Sequence, residues 1–258
     1  MSEQQASIDA SSDASADSRT WWSRAILVGS VVAVVLLPLG ALGARFGIWS
    51  FQVGFLLLAG AMVLAAIGFV VGIAGLIAAA RRNLKADRSA VLLGTAICVL
   101  ILAVMGLQFY TASTVPPIHD ITTDVNDPPA FDKVVALRGE GSNPLDYDPA
   151  KLADLQQTAY PWVKPLATQL SPGDALNRAI MVLEHMGLEV VNVDRAAGIV
   201  EATATTFWFG FKDDVVVRVR PQGAGALIDV RSVSRVGVSD LGTNARRIGT
   251  FIDRFGAA

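Results

Sequence analysis

DVVVRVRPQGAGALIDVRSVS, residues 214–234, alternates apolar and charged side chains on both sides of a glycine pair. Successive side chains of a β-strand point to opposite faces. Val215, Val217 and Val219 therefore share one face, and Arg218 and Arg220 the other. Beyond Gly223 and Gly225, Ile228 and Val230 continue the apolar face, while Asp229 and Arg231 continue the charged one. Two such runs joined by a glycine-bearing turn read as a hairpin. A register with Arg218 opposite Asp229 keeps both faces consistent and pairs opposite charges.

Two more strand-like runs lie upstream, Leu188–Asp194 and Ile199–Thr206, with Gly198 and Gly210 in the connections. Glu201, Thr203 and Thr205 fall on the charged face. Before them, Ser171, Pro172 and Asp174 supply an N-cap, a first-turn proline and an acidic N3 residue. Leu176, Ala179, Ile180, Leu183 and Met186 then recur at helical spacing, and Gly187 suits the C-terminal stop. A last helix spans about Asp240–Phe255 with the apolar stripe Leu241, Ala245, Ile248, Ile252 and Phe255, and Ser239 or Asp240 as its cap. Residues 171–258 thus read as a two-layer α+β sandwich, a four-stranded antiparallel sheet with two helices on one face.

The N-terminal half has another texture. Ala25–Ala44, Phe46–Ala80 and Ser89–Tyr110 contain no charged residue, and about 20 apolar residues suffice for a helix to cross a bilayer. Residues 21–112 therefore read as a three-helix transmembrane region, uncleaved because a polar tail precedes the first helix and two more follow it. Residues 1–20, rich in Ser, Asp and Ala, read as a disordered cytoplasmic tail. Arg19 and Arg24 flank the first helix, with Trp21 and Trp22 between them, and Arg81, Arg82, Lys85 and Arg88 crowd the second loop. Positive residues collect on the cytoplasmic side. The N-terminus then lies inside and everything after Tyr110 outside, which places the protein in the inner (plasma) membrane with a periplasmic C-terminal domain. Gly68 with Gly72, and Ala90, Gly94 and Cys98, are small residues suited to helix packing inside the bundle. No charge lies within a span, which argues against a transporter. Residues 113–170, with two Pro-Pro pairs and a short helix at Pro149–Gln157, read as an extended tether and lead-in.

The net charge of −2 points to no nucleic-acid partner. The single cysteine, Cys98, excludes an intrachain disulfide and a cysteine metal site. Neither a metal nor a cofactor is expected. Asp213 and Asp214 are adjacent on a strand and face opposite ways, so a shared acid–base role is disfavoured against a turn and salt-bridge role. Ser232 and Ser234 have no activating base nearby in sequence. His119 with Asp120, Asp124 and Asp127 lacks the pattern of a calcium loop and reads as a capped, turn-rich segment. The aromatic run FWFGF, residues 207–211, reads first as core packing at a bulged hairpin, and otherwise as a contact with the bilayer or a partner.

The strings IHDITTDVNDPP, AYPWVKPL, FGFKDDVVVRVR and DVRSVSRVGVSDLGTNARRIGTFI resemble the bacterial and plastid family known as domain of unknown function 1499. The resemblance covers about Pro117 to Phe255. It implies an N-terminal membrane anchor, common among members, and no reaction, cofactor or catalytic residue. The leading expectation is a non-enzymatic domain that binds a partner protein or an anionic envelope ligand. Its candidate face is Arg218, Arg220, Arg231 and Arg235 with Glu201, Asp214 and Asp229. The alternatives are a self-compensated charge network on that face and a membrane-bound hydrolase using Asp214 or Asp240.

Overall fold

The computed structural model of the chain describes residues 19–257. The expected disordered tail falls, but for its last two residues, outside them. The chain divides into two compact units, Met1–Phe109 and Tyr110–Ala258.

In the first unit, α1 (Trp21–Arg45), α2 (Phe51–Arg81) and α3 (Lys85–Thr114) are each long and apolar enough to cross a membrane. Small residues bring them together, as their spacing predicts. A Cβ added at Gly72 would lie 2.2 Å from the Thr95 hydroxyl oxygen, and one at Gly68 would lie 2.7 Å from the Cys98 sulfur, so α2 and α3 meet along this stripe. Gly94 lies against Ile26 and Ser30 of α1. Asp87, in the first turn of α3, is buried and accepts hydrogen bonds from the Thr20 amide (2.7 Å), the Thr20 hydroxyl (2.9 Å) and the Ser23 hydroxyl (2.5 Å). Its carboxylate ties the N-terminus of α3 to that of α1, where both helix ends favour negative charge.

The second unit is an α+β domain around an antiparallel sheet of six strands, β1 (Asp120–Thr122), β2 (Leu166–Thr168), β3 (Glu189–Asp194), β4 (Ile199–Thr205), β5 (Lys212–Gln222) and β6 (Gly225–Ser234). The order is β1-β6-β5-β4-β3, with β2 also on β6. The expected four strands are β3 to β6. The sheet gains two because β1 and β2 lie end to end along the outer edge of β6. Each is three residues long, too short to show alternation, and each owes its extended form to pairing with β6 rather than to its own sequence. Residues 113–170, expected as a tether and lead-in, belong to this unit and carry β1, a 3₁₀ turn at Lys133–Leu137, α4 (Pro149–Ala159) and β2.

The long strands follow the alternation. Arg218 pairs with Asp229, Val217 with Val230 and Val219 with Ile228 across β5 and β6. Asp194 accepts hydrogen bonds from the amides of Ala196 and Ala197 to close the β3–β4 turn, and Gly198 takes the left-handed backbone (φ 68) that the turn requires. Helix α5 (Pro172–His185) starts as its sequence predicts, with the Ser171 hydroxyl accepting the Asp174 amide hydrogen bond. Helix α6 (Thr243–Ala257) is capped by Asp240, whose two carboxylate oxygens accept from the amides of Gly242 (2.8 Å) and Asn244 (2.7 Å). One core unites Leu176, Ala179 and Leu183 of α5 and Ile248, Phe251 and Phe255 of α6 with Val200, Ala202, Val215, Val217, Val219, Ile228 and Val230 of the sheet.

Candidate functional site

The opposite side of β4, β5 and β6 carries the charges, and residues 120–147 supply the groups that meet it. Arg231, 3% exposed, forms a two-pronged pair with Asp120: Nε to Oδ1 at 3.0 Å and Nη2 to Oδ2 at 2.7 Å. Its remaining donors reach the carbonyls of Pro129 (3.1 Å) and Leu145 (2.6 Å). The rings of Phe131 and Tyr147 lie 5.3 and 5.6 Å from the guanidinium carbon. This uses the planar fork and the aromatic affinity of arginine together. Burial pushes the Tyr147 phenol up to about 12, aided by the Asp120 charge and opposed by Arg231.

Asp214 is fully buried. Its Oδ2 accepts from Arg138 (2.5 Å) and Arg235 (3.0 Å), and its Oδ1 from the Thr203 hydroxyl (2.9 Å) and Arg235 (2.7 Å). Arg235 also donates to the carbonyl of Leu137 at 2.7 Å. Glu201, equally buried, accepts from the backbone amides of Asp132 (2.7 Å) and Lys133 (2.8 Å) and from Asn192 (2.9 Å). A buried carboxylate is tolerable only when its oxygens are satisfied in this way.

Near the Gln222–Gly225 turn the network is looser. Asp229 is buried and meets Arg218 (3.0 Å) and Arg220 (2.8 Å), but its Oδ1 has no partner. Arg218 and Arg220 are partly exposed and also contact Asp127 at 3.1 and 3.3 Å, and Arg220 reaches Asp124 at 3.4 Å. Asp124 closes its own turn through the amides of Asn126 and Asp127.

The structure thus divides the seven candidate residues. Glu201, Asp214, Asp229 and Arg231 are buried under the covering segment, Arg235 is mostly enclosed, and Arg218 and Arg220 form a rim. The face expected to be free of helices is covered by the 3₁₀ turn and the irregular chain around it, because its charges bind the backbone groups and side chains of residues 120–147. Asp213 turns the other way, as adjacency in a strand demands, and pairs with Arg247 of α6 at 2.6 Å. Arg247 also bonds Ser232 and Asn244, and Asn244 bonds Ser234, so both serines sit in a helix-to-sheet polar link. Burial raises the Asp240 carboxyl above its ordinary range, against the lowering effect of the amides it caps. Among the described residues no group of three or more His, Cys, Asp or Glu is placed to hold a metal ion.

Sequence reasoning missed Arg138, Arg247 and Gln156. Gln156 accepts from the Thr122 amide (3.0 Å) and donates to the Thr122 carbonyl (2.7 Å), closing the free edge of β1. These partners lie tens of residues from the groups they serve, and no local pattern marks them.

Fold and site together define a class: a chain with three candidate membrane spans and an α+β domain whose charged sheet face is locked under its own lead-in. More particularly, the chain belongs to the family described as Protein of unknown function (DUF1499), whose family model matches residues 120–255, more than half of its length. The match spans the covering segment as well as the sheet and helices, in line with the resemblance over Pro117 to Phe255. A search of curated proteins found no match.

Proposed function

We propose that the protein is an inner-membrane protein, N-terminus in the cytoplasm, that presents a non-enzymatic binding domain on the outer side. One observation carries the non-enzymatic reading. The two carboxylates on which a hydrolase would depend are committed: Asp214 to Arg138, Arg235 and Thr203, and Asp240 to the amide groups opening α6. A general acid or base needs a proton-transfer partner in the substrate within hydrogen-bond reach, and here those positions are filled by the protein itself.

Of the charged face, the Arg218/Arg220 rim is the part open to a ligand. Two guanidinium groups there face Asp124, Asp127 and Asp229. A small anion entering this site would meet an excess of negative charge. A protein surface of mixed sign can exchange ion pairs with both arginines and aspartates, so a partner protein of the cell envelope fits better than a free anionic ligand. The orientation rests on the basic residues around α1 and in the α2–α3 loop.

A photo-crosslinking residue in place of Arg220 in the full chain, expressed in cells, tests both parts. A discrete crosslinked protein lost on Arg218→Gln, with an export-dependent reporter active after Ala258, is the expected outcome. Capture of lipid alone, or an expressed but inactive reporter, overturns it.

A further inference from the structure

We propose that the end of the sheet formed by the β4–β5 and post-β6 loops rests in the interfacial layer of the bilayer spanned by α1–α3, through Phe207, Trp208 and Val238. The inference rests on the reading of those helices as membrane spans. Its starting point is an arrangement that core packing leaves unexplained. Phe209 and Phe211 stack at 5.2 Å and are half-buried. Phe207 and Trp208, at the tip of the same turn, are 70% and 57% exposed and form an edge-to-face pair at 5.2 Å. Neither ring belongs to the core cluster of the domain, and more than half of each stays exposed at the tip of the turn.

The topology puts more apolar surface at the same end. Thr205 pairs with Lys212, Asp213 with Ser234, and the Arg235 amide donates to the Lys212 carbonyl, so the loop after β6 leaves the sheet beside the aromatic turn. That loop exposes Val238 at 78% and carries Leu241 with a left-handed backbone, φ 54. Such a conformation is unfavourable for a leucine. The Leu241 side chain is itself partly exposed.

The occupant follows from where the chain enters. Residues 115–118, which come directly after α3, meet the domain at this end: the Asp240 amide donates to the Ile118 carbonyl, and a Cβ at Gly242 would touch Val115. The apolar end is therefore the end nearest in sequence to a membrane span. Trp and Phe with an exposed edge suit the headgroup boundary, where an apolar ring and a polar neighbour are both accommodated. Exposed Lys212 and Arg246 flank the loops and suit anionic headgroups. The Arg218/Arg220 rim lies toward the other end of β5, about 20–27 Å from Lys212 at the usual rise per residue. Seating the aromatic end on lipid points that rim away from the membrane.

The test uses the full chain with Cys98→Ala, carrying a single cysteine labelled with an environment-sensitive fluorophore. It is reconstituted in nanodiscs of phosphatidylcholine and phosphatidylglycerol, with or without headgroup-region nitroxide lipid. Probes replace Trp208, Val238, Gly223 at the far end, and Leu100 on α3. The expected result is a blue-shifted emission at 208 and 238 that nitroxide lipid quenches, with a water-like, unquenched signal at 223. A second variant, Phe207→Ser with Trp208→Ser, should abolish the shift at 238 without changing the fold by circular dichroism. A water-like signal at 208 and 238 with a lipid-like signal at 100 overturns the proposal while leaving the spans intact. A blue shift that nitroxide lipid does not quench assigns the tip to a protein contact and overturns it equally. A water-like signal at 100 removes the membrane reading itself, and the proposal with it.

Discussion

At the scale of single residues, Arg231 shows how the charged face is held. A buried pair gains only if its geometry is good and its remaining donors are satisfied, and loss of one partner leaves an uncompensated charge. Arg231 has both conditions: two bonds to Asp120, two to carbonyls, and rings beside it. Arg231→Met or Asp120→Asn should therefore each destabilise the domain by about 3–5 kcal/mol. Chemical denaturation of the full chain in detergent, followed by circular dichroism, measures the loss; a change below about 1 kcal/mol, the range of a surface pair, would sink the assignment. Arg231→Lys keeps the charge but not the fork, and should recover little of the loss. The alternation in residues 214–234 put Arg231 on the charged face and Arg218 opposite Asp229, as observed. It could not name Asp120, whose distance in sequence is 111 residues.

At the scale of elements, the long strands and the helices are written in their own residues, while β1 and β2 depend on what they meet. Gly225 is the clearest point of contact. A Cβ there would lie 2.0 Å from the carbonyl oxygen of Thr168 in β2, so the two backbones approach at a distance that only glycine permits. Gly225→Ala should push β2 off the edge of β6 and cost about 1–3 kcal/mol, as overpacking does. Hydrogen exchange of peptides covering residues 166–170 should speed up, while those from β4 and β5 stay protected. Gly173→Ala, where a Cβ would meet nothing within 4 Å, is the control and should leave exchange unchanged. Equal acceleration in both variants would show that the close approach carries no weight. The small-residue stripes of α2 and α3 were legible for the same steric reason, since spacing at four residues lines up one helix face.

At the scale of the whole molecule, the chain separates into an apolar helical unit and an α+β unit that begins at Tyr110, not at Ser171. A fragment of residues 110–258 should unfold cooperatively, whereas residues 171–258 should not. The shorter piece lacks Asp120, Arg138, Gln156 and the amides of residues 132–133; it leaves Arg231 with none of its partners, Asp214 without Arg138, and Glu201 with Asn192 alone. Thermal melts of both fragments by circular dichroism decide it, and a cooperative melt of the shorter one would refute the role of the covering segment. The apolar helices, the four long strands, both sheet-packing helices and the residues that share each face were legible from the residues alone, because hydrophobic period, caps and glycine turns are local signals. The covering of the charged face, the two short strands that extend the sheet, and the position of Phe207 and Trp208 outside the core cluster emerge only in the folded chain. Those outcomes depend on hydrogen bonds and contacts between groups far apart in the chain, where a carboxylate in the sequence carries no mark of the amide or guanidinium it will meet.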